Sequence, residues 1–181
     1  MTPPPARGRS AGNDAETRPA YAERMRIEPG DLDAPDVQDL LREHLDDMFA
    51  TSPPESVHAL SDEGLRHPDV TFFTARDDDG ALLGCGAIKR LGAGAVELKT
   101  MRTVHAARGR GVGAAMLAHL LGVARERGAA TVHLETGSME YFAAARRLYA
   151  RHGFVETGPF AGYAPDPLST FMRLDLAVSA S

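Results

Sequence analysis

The chain has 181 residues and a mass of 19.3 kDa, with 43% hydrophobic and 25% charged residues. These are the proportions of an ordinary folded domain and exclude a wholly disordered, collagen-like or disulfide-stapled chain. A net charge of −5 leaves no basic footprint for DNA or RNA. The single cysteine, Cys85, permits neither an internal disulfide nor a thiolate metal cluster.

Residues 1–24 are rich in Pro, Ala, Gly and charge and lack apolar periodicity, which predicts a flexible N-terminal tail. Four Arg against Asp14, Glu16 and Glu23 give this tail +1, leaving −6 for the remainder. No run approaches the ~18 apolar residues of a membrane span, and the Pro-rich start lacks an apolar signal core, so no membrane partner and a cytoplasmic location are expected. A single domain is predicted over 25–177, followed by a short end at 178–181.

Within the domain, Met25–Glu28 reads as a strand stopped by Pro29-Gly30. Asp36–Phe49 places Val37, Leu40, Leu41, His44, Leu45 and Met48 on one helical face, and Ser56–Leu65 reads as a second, short helix. Val70–Ala75, Leu82–Lys89 and Val96–Val104 form a three-strand meander with turns at Asp77–Gly80 and Gly92–Gly94. A helix opens at Val112 and closes at Arg127-Gly128. Thr131–Glu135 is a strand, Tyr141–Arg151 a helix, and Phe154–Val155 and Ser169–Leu176 the last two strands. The order predicts an α/β domain on a mixed, mostly antiparallel sheet with helices on both faces.

Chemistry concentrates in Arg108-Gly109-Arg110-Gly111-Val112-Gly113, between a strand-ending loop and a helix N-terminus. Missing Cβ atoms let main-chain N–H groups converge there, the helix dipole adds positive charge, and the two arginines suit a diphosphate. Gly109-x-Gly111-x-x-Ala114 also fits a dinucleotide fingerprint, with Glu135 ending the next strand. Against that reading, four residues separate the strand from the glycines, and the upstream meander is not a parallel βαβ opening. A kinase-type phosphate loop fails because no Lys-Ser or Lys-Thr follows.

These residues resemble the GCN5-related N-acetyltransferases, the GNAT family, whose acetyl-CoA motif matches Arg108-x-x-Gly111-x-Gly113. Leu148-Tyr149-x-x-x-Gly153-Phe154 lies at the matching distance downstream, and the element order agrees from Met25 to Leu176. Glu97-Leu98-Lys99-x-Met101, Leu134-Glu135-Thr136-Gly137 and Pro167-Leu168-Ser169-x-Phe171-Met172 look like one bacterial subgroup whose acceptor is undefined.

The resemblance implies a GNAT fold and transfer of the acetyl group of acetyl-CoA to a primary amine. Arg108, Gly109, Arg110, Gly111, Val112, Gly113 and Ala114 would wrap the pyrophosphate. Met101, Arg102 and Thr103 would pair with the pantetheine arm as an added strand would. Tyr149 falls where many members keep a general acid for the leaving thiolate. Glu97 matches the base position of the family's histone acetyltransferases, and Glu135 that of its ribosomal-protein acetyltransferases. Phe142 departs from the pattern, standing where many members have an Asn against the cofactor.

Residue chemistry agrees with this. An ammonium has no lone pair, so a carboxylate must remove a proton, and a tyrosine hydroxyl can donate to the departing thiolate. No covalent intermediate is required, and Cys85, among small neighbours, reads as a core thiol. The scattered histidines lack zinc spacing, so no metal is expected. The acceptor is expected to be a small-molecule or peptide amine held between 36–65 and 157–167, and many relatives are homodimers. A GNAT-like module that binds acyl-CoA without turnover is the alternative from another class.

Overall fold

The computed structural model describes residues 25–51, 53–56, 58 and 61–176. The predicted tail over 1–24 and the end at 178–181 lie outside the described residues. Strands β1 (Arg26–Pro29), β2 (Val70–Arg76), β3 (Leu82–Gly92), β4 (Ala95–Thr103), β5 (Thr131–Gly137), β6 (Val155–Thr157) and β7 (Ser169–Asp175) form one sheet. Its order is β1-β2-β3-β4-β5-β7-β6. Every neighbouring pair is antiparallel except β4 and β5, so the mixed α/β sheet is as expected.

Helices α1 (Pro35–Thr51) and α2 (Asp62–Leu65) cover one face, and α3 (Val112–Glu126) and α4 (Ala143–Arg151) the other. Strand alternation sets the split. Val96 and Leu98 of β4 with Val132 and Leu134 of β5 pack under Met116, Leu117 and Leu120 of α3. The residues between them, Glu97, Lys99, His133 and Glu135, consequently project toward the α1 side. There Val37, Leu40 and Leu41 of α1 pack on Leu65, Phe72, Cys85 and Ala87.

Local chemistry sets the joints. The β2–β3 turn closes on Asp77, whose Oδ1 accepts from the N–H groups of Asp79 and Ala81. Ser61 caps α2 by accepting from the Gly64 N–H. The helix predicted over Ser56–Leu65 divides into a 3₁₀ turn at Pro54–Ser56 and α2. That predicted over Tyr141–Arg151 begins instead as a 3₁₀ turn, Glu140–Phe142, because the Phe142 backbone (φ −94°, ψ 2°) has not reached α geometry. Among the described residues no helix is long and apolar enough to cross a membrane.

Cys85 is buried in the α1-side core, where its Sγ donates to the Thr100 carbonyl at 3.4 Å. Burial pushes its thiol up to about 12. The native protein should therefore show almost no reaction with a disulfide-exchange thiol reagent at pH 8, and release one equivalent once unfolded in guanidinium. A fast native reaction, followed in the spectrophotometer, would contradict this placement.

Candidate active site

The sheet is whole at one end and open at the other. β4 and β5 pair in parallel from Ala95↔Thr131 to Leu98↔Leu134 and no further. Beyond that point β4 stays with β3, and β5 stays with β7 as far as Gly137↔Ser169. Thr100, with φ 54°, lies in a bulge where the β3–β4 register shifts between Cys85 and Ala87, and bulges bend the strand that carries them. Past the bulge, the facing edges of β4 and β5 are open to a third chain-like group between them.

A cleft of about 870 Å³ lies along the β4 side of this opening, with Tyr141 and Phe142, which follow β5, also lining it. It is lined by all ten residues expected at the cofactor: Met101, Arg102, Thr103 and the run Arg108–Ala114. Gly111 is the N-cap of α3 with φ 88°, and no side chain caps that helix end. Gly109 has φ 75°, and a Cβ on either glycine would meet nothing within 4 Å. The space in front of the turn is thus free for a ligand, while the backbone conformation demands glycine. Donors of a helix N-terminus without a side-chain acceptor form an anion site.

Tyr149 of α4 lines the same cleft. Its ring packs against Phe154 at 5.8 Å. Burial, with a smaller contribution from the charge of Glu135, pushes its phenol up to about 12. Near neutral pH it is a donor. The Phe142 ring takes up the space where a Cβ on Gly137 would sit, and Arg146 binds the carbonyls of Gly137 and Met139 at 2.6 and 2.8 Å. Arg146 therefore secures the loop after β5.

The two candidate carboxylates do not line the cleft itself; both project toward the α1 side. Glu135 lies past the last β4–β5 pair, at the lip of the opening. Burial raises its pKa, opposed by the Ser169 hydroxyl, which donates to Oε1 at 2.7 Å. Glu97 lies one step inside the paired region, opposite His133, and is 2% exposed. Its Oε1 accepts from Tyr163 Oη at 2.6 Å and from Lys99 Nζ at 3.2 Å. Lys99 also donates to Tyr163 Oη at 2.7 Å and to the His58 carbonyl at 2.8 Å.

Several side chains here have no role in the sequence reading. Lys99 enters it only within a motif, although it lies two residues from Glu97 on one strand face. Tyr163, in edge or tilted ring contact with Phe160 and Phe171, lies in an unpatterned loop, and Phe171 enters only within a motif. Arg102 was singled out for its backbone, yet its side chain reaches α1. Its Nη2 binds Glu43 Oε1 at 2.6 Å and Asp47 Oδ2 at 2.5 Å. Tyr141 Oη donates to Asp47 at 2.8 Å, closing a bridge from α1 to the loop after β5.

The sequence profile of the Acetyltransferase (GNAT) family matches residues 37–154. An uncharacterised N-acetyltransferase of Bacillus subtilis, YsnE, is 45% identical over 152 residues, covering 84% of this chain and all of the relative. An IAA acetyltransferase of Azospirillum brasilense is 39% identical over 137 residues, covering 75% of this chain and 86% of the relative. Among solved structures, one described as an acyl-CoA N-acyltransferase of Klebsiella pneumoniae superposes with a TM-score of 0.68 at 32% identity. It covers 84% of this chain and 97% of its own.

Gly111→Val would force a β-branched residue to φ 88° and turn the amides away from the cleft. Titration calorimetry should show acetyl-CoA affinity falling by at least tenfold in a protein that is still folded. Arg108→Ala, which leaves the main-chain cradle intact, should cost less, of the order of one charge-assisted hydrogen bond. Unchanged affinity in folded Gly111→Val would remove the anion site from the glycine turn.

Proposed function

This chain belongs to the GNAT family and is an acyl-CoA-dependent acetyltransferase; from that premise we propose that it acetylates a primary amine of a small molecule or peptide by direct attack in a ternary complex. The observation that carries the reading is the opening between β4 and β5, with the cleft lined by Tyr149 and the glycine turn alongside it and Glu135 at its lip on the α1 side. The relatives' naming as N-acetyltransferases supports nitrogen as the accepting atom.

In this reading the main-chain donors of 109–114 hold the pyrophosphate, with Arg108 and Arg110 adding charge. The exposed edge at Met101–Thr103 pairs with the pantetheine arm, which aligns the thioester with the opening. Acetyl-CoA thus lies on the α3 side and the amine arrives from the α1 side. Glu135 takes one proton from the ammonium, the freed lone pair attacks the thioester carbon, and as the C–S bond breaks the nitrogen gives up its second proton, to the thiolate or to solvent, leaving the neutral amide. Tyr149 donates to the departing thiolate. A phenol near 12 keeps its proton at neutral pH, so it stabilises the developing charge as a donor whether or not the proton crosses.

Both carboxylates remain candidates by position, and their surroundings favour Glu135. Its proton affinity is raised by burial, as a base working near neutral pH requires. It is also near enough for its charge to act on Tyr149 and on Tyr163. Glu97 Oε1 is taken up by two donors, one of them the cation of a buried pair. We assign it to holding Tyr163 and Lys99 in place.

Coenzyme A release, read as free thiol against a panel of amines, tests the activity. Absence of release with every amine despite tight acetyl-CoA binding would favour the non-catalytic alternative. With a turned-over amine, the wild-type rate should rise with pH through the raised pKa of Glu135 and then level. Glu135→Gln should lose about 10²- to 10⁴-fold at pH 7 and climb steadily with pH as free amine takes over. A carboxyl whose pKa is raised on folding loses stability as pH rises from its ordinary value through the raised one. The same variant should therefore keep or raise the melting temperature at pH 7. Should Glu97→Gln change the profile instead, the base is Glu97. Tyr149→Phe should lower kcat by a similar factor and leave acetyl-CoA affinity nearly unchanged; full kcat would leave the ring a packing role only.

A further inference from the structure

Thr100, at the β4 bulge, is 8% exposed, and its Oγ1 has no hydrogen-bond partner. A buried hydroxyl without a partner is costly and rare in folded proteins. Thr100 also lines a second cavity, of about 200 Å³, between α1, α2 and β4. That is many times the ~10–15 Å³ that one water occupies.

Three leucines line this cavity together with Gln38, Arg42, His44, Asp62 and Thr100, and its two charged side chains already have partners. Leu41, Leu45 and Leu65 form the sides. The Gln38 amide already donates to the Leu32 carbonyl and to Asp62. Arg42 and Asp62, both largely exposed, are paired with Asp39 and Arg66. His44 lines both this cavity and the main cleft, so the two adjoin at this residue. Burial and the nearby Arg102 hold His44 down to about 4, and its imidazole is neutral at physiological pH.

We propose that this cavity receives the acceptor's tail, and that the acceptor is a compact amine whose uncharged tail ends in one hydrogen-bonding atom met by the Thr100 hydroxyl. The amino group then lies on the His44 side, toward the cleft where the thioester is expected. A cationic tail would find the lining carboxylate, Asp62, already held by Arg66 and Gln38, and the Arg102 guanidinium near His44. An anionic tail would find that guanidinium already held by Glu43 and Asp47. A wholly apolar tail would leave the Thr100 hydroxyl orphaned. The assignment rests on the amine-transfer reading above.

Three isosteric amines separate tail chemistry from tail size: 3-amino-1-propanol, n-butylamine and 1,3-diaminopropane, assayed by coenzyme A release. The alcohol should exceed n-butylamine in kcat/KM by about tenfold, the worth of one neutral hydrogen bond. The diamine should fall roughly 100-fold below the alcohol, since its second ammonium would be desolvated beside a carboxylate, Asp62, that Arg66 and Gln38 already occupy. Thr100→Val keeps the branching and the size, and should abolish the alcohol's advantage with KM for acetyl-CoA unchanged; Thr100→Ser should restore it. Leu45→Phe, which fills the cavity, should raise the KM of all three amines.

A tenfold preference that survives in Thr100→Val, or a diamine that is the best substrate, would overturn the proposal. A binding measurement separates this failure from failure of the transfer reading. Calorimetry with N-(3-hydroxypropyl)acetamide and coenzyme A should show about tenfold tighter amide binding to the wild type than to Thr100→Val. If that holds while no amine is turned over, only the transfer reading falls. Equal affinity for the two proteins, or no amide binding to either, overturns the cavity's assignment.

Discussion

The molecule depends on a parallel pairing that stops early. β4 and β5 share four register positions and then part, because each is committed to a different neighbour: β4 to β3, and β5 to β7. A sheet normally satisfies every interior strand on both edges. Here two interior strands keep free edges, which is tolerable only where another group can use them. The positive φ of Thr100 marks the register shift in β4, and such bulges bend the strand that carries them. Cleft, glycine turn, tyrosine and lip carboxylate all take their positions from that parting.

Polar groups around the opening are arranged by whether they are already satisfied. Glu97 and Lys99 form a buried ion pair with side chains 3% and 7% exposed, and Tyr163 bonds to both. Such a triad contributes little net stability relative to apolar packing, whereas removing one member strands a buried charge. Its effect is to fix the loop that follows β6 over the sheet face. The Arg102–Asp47–Tyr141 bridge similarly ties α1 to the loop after β5. Glu135 instead accepts from the neutral Ser169 hydroxyl, and burial leaves it prone to take a proton.

Much was legible in the sequence. Period-two and period-3.6 patterning located the strands and the longer helices to within a few residues, since burial on one face dictates which positions are apolar, while the helix expected over Ser56–Leu65 divided in two. Gly109 and Gly111 were readable as an anion cradle because positive φ at a helix start is a demand that glycine meets without strain. Glu97, Glu135 and Tyr149 were readable as candidates, and the roles of the two carboxylates were not separable. Both sit at alternate positions on neighbouring strands, and what distinguishes them is Lys99 and Tyr163 on one and burial beside Ser169 on the other.

The sequence by itself determined the elements, their order, the glycine turn and the family, because these follow from local conformational preference and from patterns confined to short segments. Tertiary structure alone decided where β4 and β5 part, since that depends on competition between β3 and β7 for strands far apart in the chain. It also decided that His44 and Thr100, 56 positions apart in number, line one cavity. Tyr163 reached Glu97 across 66 positions for the same reason. Contacts at that separation leave no periodicity in the sequence; they exist only once the chain has closed on itself.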